Sequence, residues 1–167
     1  SFHPEWIPIT QMGGPHSSLP QLPDRMTFKT EKHLQDYVAR LGKITGYLDQ
    51  TVRNLQAGLK ANHMPPKVVM AGVMDQMKAQ TKSTFSEKPE SHPLYKPFQK
   101  RPQDGPLATQ ARSIIQKDIL PAMQRLSDYM GKTYIPACRD TIAAKDGPGG
   151  MDYYQFRLKH YTTLPLS

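Results

Sequence analysis

The sequence has a single cysteine, Cys138, and no apolar run that approaches about 18 residues. One thiol excludes an intrachain disulfide and a cysteine-based zinc site. The absence of a long apolar run predicts no transmembrane segment. Aromatic residues make up 8% of the chain, and Leu, Ile, Val and Phe together only about a fifth. These shortages predict a globular fold with a small core.

The 167 residues suit one domain of ordinary size. The chain does not begin with Met, and its first residues include neither a basic segment nor an apolar leader. Its last residue, Ser167, is a favoured helix N-cap, so a helix is expected to begin where the chain stops. We therefore predict an arm over residues 1–29 and a helical domain over 30–167 that is a fragment of a longer protein.

The formal net charge of +8 is concentrated in one segment of the chain. Residues 78–101 carry six basic and two acidic side chains, which is half of that charge. Prolines interrupt the segment, whereas nucleic-acid modules usually spread Lys and Arg along one helix or sheet face. The pattern favours a solvated loop or a contact with an acidic neighbour over nucleic-acid binding. The basic residues are Lys78, Lys82, Lys88, Lys96, Lys100 and Arg101.

Residues 1–29 contain five prolines and the pair Gly13-Gly14. Proline lacks the backbone N–H and fixes φ, so neither a helix nor a central strand is expected to persist there. Apolar residues such as Trp6, Ile9 and Leu19 are spread along the same segment. They predict an extended arm that lies across a packed surface.

From residue 30 to residue 59, apolar side chains recur every three or four positions, which is the period of one helix face. Thr30 is a good N-cap, and Glu31 suits the positive end of the helix dipole. The pattern predicts one helix of about thirty residues. Gly42 and Gly46 are expected to bend it.

A second helix is predicted after Pro65-Pro66, because proline is tolerated in the first turn of a helix. The short link between the two helices predicts an antiparallel helical hairpin. A third helix is predicted over residues 107–130, with a kink at Pro121. A short C-terminal helix follows the turn of residues 146–150, and no segment has the alternation of a strand. The predicted fold class is all-α.

The six histidines do not follow a metal-binding pattern. A metallopeptidase helix needs two His four residues apart and a Glu as the general base, and no His pair here has that spacing. Arg139 could lower the pKa of the neighbouring Cys138 thiol, but no His is near in the sequence, so a buried core thiol is favoured. The sequence therefore predicts no catalytic residue, metal ligand or cofactor within this chain.

The densest group of polar aromatic residues spans 152–161, directly after the glycine turn. Tyrosine hydroxyls and a guanidinium in such a segment can donate hydrogen bonds to a substrate. The alternative is an ordinary amphipathic helix whose aromatic side chains fill the core. The candidate substrate-binding residues are Gly149, Gly150, Tyr153, Tyr154, Arg157 and His160.

Four parts of the sequence carry a family resemblance: Tyr47-Leu48-Asp49-Gln50, the link from Gly58 to Pro66, Leu120-Pro121-Ala122, and Asp146-Gly147-Pro148-Gly149-Gly150-Met151-Asp152-Tyr153-Tyr154 with its continuation to Thr162. They resemble the bacterial domain-of-unknown-function family eight hundred eighty-five, over most of the chain from about Thr30. Members of that family are commonly described as lipoproteins. They are much longer than this chain, predominantly helical, and similar to zinc metallopeptidases with a His-Glu motif on a helix.

The resemblance implies an internal, non-catalytic helical section of a metallopeptidase-like protein, because the His-Glu motif lies C-terminal to the region that this chain resembles. Such a section could form one wall of a peptide-binding cleft, with the segment from Gly149 to His160 nearest the substrate. Zinc would then belong to the full-length parent. The implied partners are the C-terminal catalytic part of that parent and a peptide substrate, and the implied location is the bacterial cell envelope or periplasm.

A second function stays open from the residues alone. The chain could be a stand-alone helical binding module whose basic segment, residues 78–101, contacts an acidic partner or nucleic acid.

Overall fold

The computed structural model describes residues 3–147 and 149–163. Within these residues the secondary structure is helical and no strand is formed. Two isolated bridges join Thr10 to Gly13 and Pro66 to Arg139. The all-α prediction is confirmed. The helix start predicted at Ser167 lies outside the described residues, as does Pro148 of the glycine turn.

The α-helices of the described residues follow one another along the chain with short connections. They are α1 (Pro15–Ser18), α2 (Glu31–Leu41), α3 (Ile44–Lys60), α4 (Val73–Gln80), α5 (Ser83–Glu87), α6 (Pro106–Ile114), α7 (Leu120–Tyr129), α8 (Ile135–Ala137) and α9 (Gly150–Thr162). Short 3-10 turns lie at Pro4–Trp6, Leu22–Arg25, Lys67–Met70, Pro89–Ser91, Pro93–Phe98 and Ala144–Asp146.

The predicted thirty-residue helix is two helices, α2 and α3, separated at Gly42 and Lys43. Thr30 caps α2 as predicted, because its Oγ1 accepts the backbone N–H of His33 at 3.3 Å. The apolar period runs unbroken through the junction, since Leu41 and Ile44 on either side are both buried. Periodicity alone therefore could not reveal the break.

One continuous helix runs from α6 through α8, and after its first residue, Pro106, it contains two further prolines, Pro121 and Pro136. Each proline closely follows a π-helical turn, at Ile115–Ile119 and at Met130–Tyr134. In an α-helix a proline ring collides with the carbonyl four residues back and lacks the N–H that would bond it. The wider π turn accommodates both the proline ring and the carbonyl that lacks an N–H partner, so the helix continues. This is how the structure tolerates the proline for which the sequence predicted a kink.

The core lies between α2, α3, α4 and the long α6–α8 helix. Both α3 and α4 pack against α7, and α2 packs against α6. The largest side chains that are fully buried include four aromatic ones, so aromatic residues provide the volume that the scarce branched aliphatics do not. These four are Tyr37, Tyr95, Phe98 and Tyr134.

The segment before α2 is not the extended arm that its prolines predicted. It contains α1 and the turns Pro4–Trp6 and Leu22–Arg25, each with a proline in its first two positions. A fixed φ near −65° suits that position, so proline starts these short helical pieces while preventing longer ones. Ile9 and Leu19 are buried in the core, so the segment does lie across a packed surface.

Removing the hydroxyl of Tyr37 is expected to destabilise the fold more than removing that of Tyr134. Tyr37 Oη donates to the buried Leu94 carbonyl at 2.7 Å, whereas Tyr134 Oη is buried without a hydrogen-bond partner in the described residues. We expect Tyr37→Phe to lower the free energy of unfolding by about 1–3 kcal/mol and Tyr134→Phe to leave it unchanged or raise it. Urea unfolding followed by circular dichroism measures both, and equal losses would contradict this difference.

Candidate functional site

The turn before α9 depends on two glycines that the sequence singled out. Gly149 has φ +78° and Gly150 has φ +39°, both in the left-handed region that favours glycine. A Cβ on Gly150 would lie 2.7 Å from the carbonyl oxygen of Lys145. The Gly150 N–H is used within the turn, because it donates to the Gly147 carbonyl at 2.8 Å. The two glycines therefore fix the start of α9, and the Gly150 amide is engaged within the turn.

Two predicted site residues and one further tyrosine lie along one row of α9, at four-residue spacing. The guanidinium of Arg157 lies 6.0 Å from the Tyr153 ring centroid and 4.8 Å from that of Tyr161. Its Nη2 donates to the Tyr161 hydroxyl at 3.0 Å. Cation–π contacts and a hydrogen bond thus hold Arg157 along the helix surface. We call Tyr153, Arg157 and Tyr161 the aromatic row.

The predicted residue His160 lies beside this row. The His160 ring stacks on Phe156 with centroids 6.1 Å apart and meets Tyr161 edge-on at 5.2 Å. Tyr154 is exposed. Tyr161 is not among the residues that the sequence predicts for the site, although residues 153, 157 and 161 have the four-residue spacing of one helix face.

The aromatic row is joined to the body of the protein by a chain of rings. Tyr153 meets His63 edge-on at 6.4 Å, His63 meets Trp6 edge-on at 6.1 Å, and Trp6 stacks on His3 at 4.0 Å. Burial and the neighbouring His3 lower the pKa of His63, while Glu5 opposes this effect. No local signal in the sequence pairs these residues, because they come from three distant segments.

Arg139 holds the segment that leads into α9. Its Nη1 donates to the carbonyls of Thr141 at 2.7 Å and Ala143 at 2.8 Å, and its Nε donates to that of Met64 at 3.4 Å. The Arg139 carbonyl accepts the Lys67 N–H at 2.7 Å. A guanidinium has five donors in a fixed fork, so one side chain can tie several carbonyls together. These bonds hold the chain before α9 against the segment around Met64.

The neighbouring Cys138 is buried. Burial raises the pKa of its thiol to about 11, so little thiolate forms at neutral pH. Cys138 is the core thiol that the sequence favoured, and the structure assigns it no nucleophilic role.

None of the described side chains of α9 is buried. Several of its apolar side chains are 45–70% exposed: Met151, Tyr154, Phe156 and Tyr161. The interpretation in which the aromatic residues of this segment fill the core is therefore wrong for the described part of the chain. A helix with such an apolar surface usually packs against another surface, because helices in proteins gain most of their stability from tertiary contacts.

Among the described residues, no three His, Cys, Asp or Glu side chains are grouped so that they could hold a metal ion. In the same part of the chain, no helix combines the length and apolar character needed to cross a membrane.

The basic segment is largely folded, with α5 and two 3-10 turns inside it. Lys96 forms an ion pair with Asp24, and Arg101 Nη2 donates to the Phe28 carbonyl at 2.8 Å. Two of the six basic side chains thus bind the segment before α2. Their partners lie more than 70 residues away in the chain, so the sequence did not reveal this use.

Comparison with known proteins gives a family and a similar fold. The family model described as "Bacterial protein of unknown function (DUF885)" matches residues 3–167. A crystal structure of the "putative lipoprotein" from Colwellia psychrerythraea is similar to this chain, with a TM-score of 0.78 and 23% sequence identity. The similarity covers 95% of this chain and 28% of that one, and at this identity it shows the fold alone. Comparison with curated proteins finds no match.

Proposed function

The chain belongs to the bacterial family DUF885, and on that basis we propose that it is a non-catalytic helical section of a longer, metallopeptidase-like protein. In that protein the aromatic row of α9 lines one wall of a peptide-binding cleft. The observation that carries the proposal is the exposure of polar aromatic side chains on a helix that buries none of its described residues.

The chemistry of the aromatic row suits a peptide. Tyrosine rings offer apolar faces to side chains and a hydroxyl to backbone carbonyls. The Arg157 guanidinium keeps donors beyond the one given to Tyr161, and it can bind a carboxylate or a backbone carbonyl of a peptide. Binding of this kind positions a substrate without taking part in bond cleavage.

The catalytic groups of such a protein would come from outside this chain. The chain spans 28% of the length of the Colwellia protein. In a longer protein of that size, most of the residues lie outside this chain and could supply the catalytic groups. Among the described residues, no three His, Cys, Asp or Glu side chains are grouped so that they could hold zinc, so we place zinc elsewhere in the longer protein and derive no step through it. The description of the Colwellia protein as a lipoprotein supports an envelope location for the longer protein.

Replacing Arg157 in the longer protein is expected to weaken substrate binding without slowing the chemical step. We expect Arg157→Ala to raise KM for a fluorescence-quenched peptide mixture on the order of tenfold and to leave kcat unchanged. A rise of this size corresponds to the loss of about one charge-assisted hydrogen bond. Tyr47→Ala, which removes a half-exposed tyrosine on α3, is the matched control and should leave KM unchanged. An unchanged KM in Arg157→Ala, an equal rise in the control, or absence of peptide hydrolysis would contradict the proposal.

The alternative, a stand-alone binding module that uses the basic segment, gains no support from a specific contact. Lys96 and Arg101 are engaged with Asp24 and with the Phe28 carbonyl. Neutralising them would loosen the segment before α2 as well as remove charge. We therefore retain the peptide-binding section as the proposed function.

A further inference from the structure

Two open depressions adjoin at the N-terminal end of the long α6–α8 helix. The first, of about 590 Å³, lies between the segment before α2 and residues 96–101. The second, of about 400 Å³, lies between the first turns of α2 and α6. Arg101 lines both depressions, and the neighbouring residues Phe28 and Lys29 are divided between them, so the two form one groove.

The groove is separate from the aromatic row of α9. The long helix begins at Pro106, in the lining of the groove, and ends at Ala137, shortly before the segment that Arg139 holds. A helix of that length extends over roughly 45 Å. The groove is therefore not part of the peptide-binding wall proposed above.

Basic side chains outnumber acidic ones in the groove. Asp24, one of the two acidic residues, is already paired with Lys96. The side chains of Lys29 and Lys100 form no ion pair or hydrogen bond within the described residues, and both are exposed. Uncommitted positive charge in a groove favours an anionic ligand. The charged residues of the lining are Lys29, Lys96, Lys100, Arg101, Asp24 and Glu31.

The guanidinium of Arg101 is held in place between the two depressions. Its Nε donates to the Pro97 carbonyl at 3.2 Å, and its Nη2 donates to the Phe28 carbonyl at 2.8 Å. A guanidinium has five donors, so N–H groups remain for a ligand after these two bonds. A planar fork that is already fixed loses little freedom when it binds a carboxylate.

The floor of the second depression is apolar. Leu34, Phe98 and Ala108 form it, and all three are buried. The groove is open to solvent, so a ligand that is apolar throughout would stay largely hydrated. The aromatic residues of the lining, Phe28 and Phe98, are partly or fully buried, so no exposed ring is offered for the stacking of nucleic-acid bases.

We propose that this groove binds an acidic peptide segment of another protein, in which carboxylates alternate with apolar side chains. The carboxylates pair with Arg101, Lys29 and Lys100, and an apolar side chain covers the floor at Leu34 and Phe98. Several charges spread along the groove match several carboxylates along a chain. The proposal does not rest on the role of α9.

The probe is a fluorescein-labelled peptide with blocked ends, in which glutamates alternate with leucines. Its initial fluorescence anisotropy with the longer DUF885 protein is expected to show saturable binding that salt weakens. Replacing every glutamate by glutamine, or every leucine by serine, should weaken binding by more than about tenfold. Equal binding of either altered peptide would overturn the proposal. So would tighter binding of an oligothymidylate or of phosphatidylglycerol vesicles, because the groove would then prefer phosphates.

Two lysine variants assign the binding to the groove. Lys29→Gln and Lys100→Gln change exposed side chains without partners in the described residues, so the fold should be kept. Each is expected to weaken binding about threefold, and the two together about tenfold. Arg101 is left unchanged because it also holds the segment before α2.

Two controls complete the test. Lys60→Gln removes an exposed lysine at the end of α3, outside the groove, and Arg157→Ala alters the aromatic row. Neither should change the affinity for the acidic peptide. A loss in either control as large as in the lysine variants, or an unchanged affinity when both groove lysines are replaced, would overturn the assignment.

Discussion

Gly58→Ala is expected to lower the free energy of unfolding by about 1–3 kcal/mol. A Cβ at this position would lie 2.6 Å from the Trp6 carbonyl oxygen and 3.0 Å from that of His63. Both are backbone atoms, so rotation of a side chain cannot relieve the contact. The turn Pro4–Trp6 would have to move away from α3, which also separates Trp6 from His63.

Gly46→Ala is the matched control in the same helix. No heavy atom lies within 4 Å of a Cβ placed there, so the substitution should stabilise α3 by about 0.5–1 kcal/mol. Urea unfolding measures both variants, and the emission of the single tryptophan reports the displacement of Trp6 in Gly58→Ala. Equal stability of the two variants would contradict the close approach of the N-terminal turn to α3.

Acid is expected to destabilise the protein by about 3 kcal/mol through His92 alone. His92 is fully buried, and desolvation lowers the pKa of its imidazole from 6.5 to about 4. Above pH 6.5 the imidazole is neutral in both the folded and the unfolded state, so its titration does not change the free energy of unfolding. As pH falls below 6.5, the imidazole takes up a proton in the unfolded state but not in the folded state. The free energy of unfolding therefore decreases until about pH 4, and below that pH this contribution no longer changes.

His92→Asn isolates this effect. The asparagine oxygen can replace Nδ1, which accepts the Leu94 N–H at 3.2 Å, so the turn Pro93–Phe98 keeps its cap. Lost packing against Phe85 lowers stability at every pH, and the diagnostic quantity is therefore the slope. We expect the difference in stability between pH 7 and pH 4 to shrink by about 3 kcal/mol in the variant. An unchanged difference would show that His92 is not the group responsible.

Features set by neighbouring residues were predictable from the sequence. Thr30 caps α2, the apolar faces of α2 and α3 are buried, and a glycine turn starts α9. Each follows from periodicity, capping or a backbone conformation that one or two residues determine. The proline-rich segment was less predictable, because proline stops long helices and starts short ones.

The surroundings of the candidate site were not predictable, since they depend on contacts between distant parts of the chain. Arg139 bonds to Met64, and Trp6 meets His63, across separations that carry no periodic signal. The sequence indicated the residues of the turn and of α9, and the structure places those of α9 on one exposed helix that directly follows the turn. Their role in binding a substrate remains our proposal.

The measurement that tests the central claim most directly is photo-cross-linking of a benzophenone-labelled peptide substrate to the longer DUF885 protein. If α9 forms a wall of the cleft, adducts fall within Gly150–Thr162, and an excess of unlabelled peptide suppresses them. Adducts confined to other parts of the protein, with Gly150–Thr162 unlabelled, would contradict the proposed role of the aromatic row.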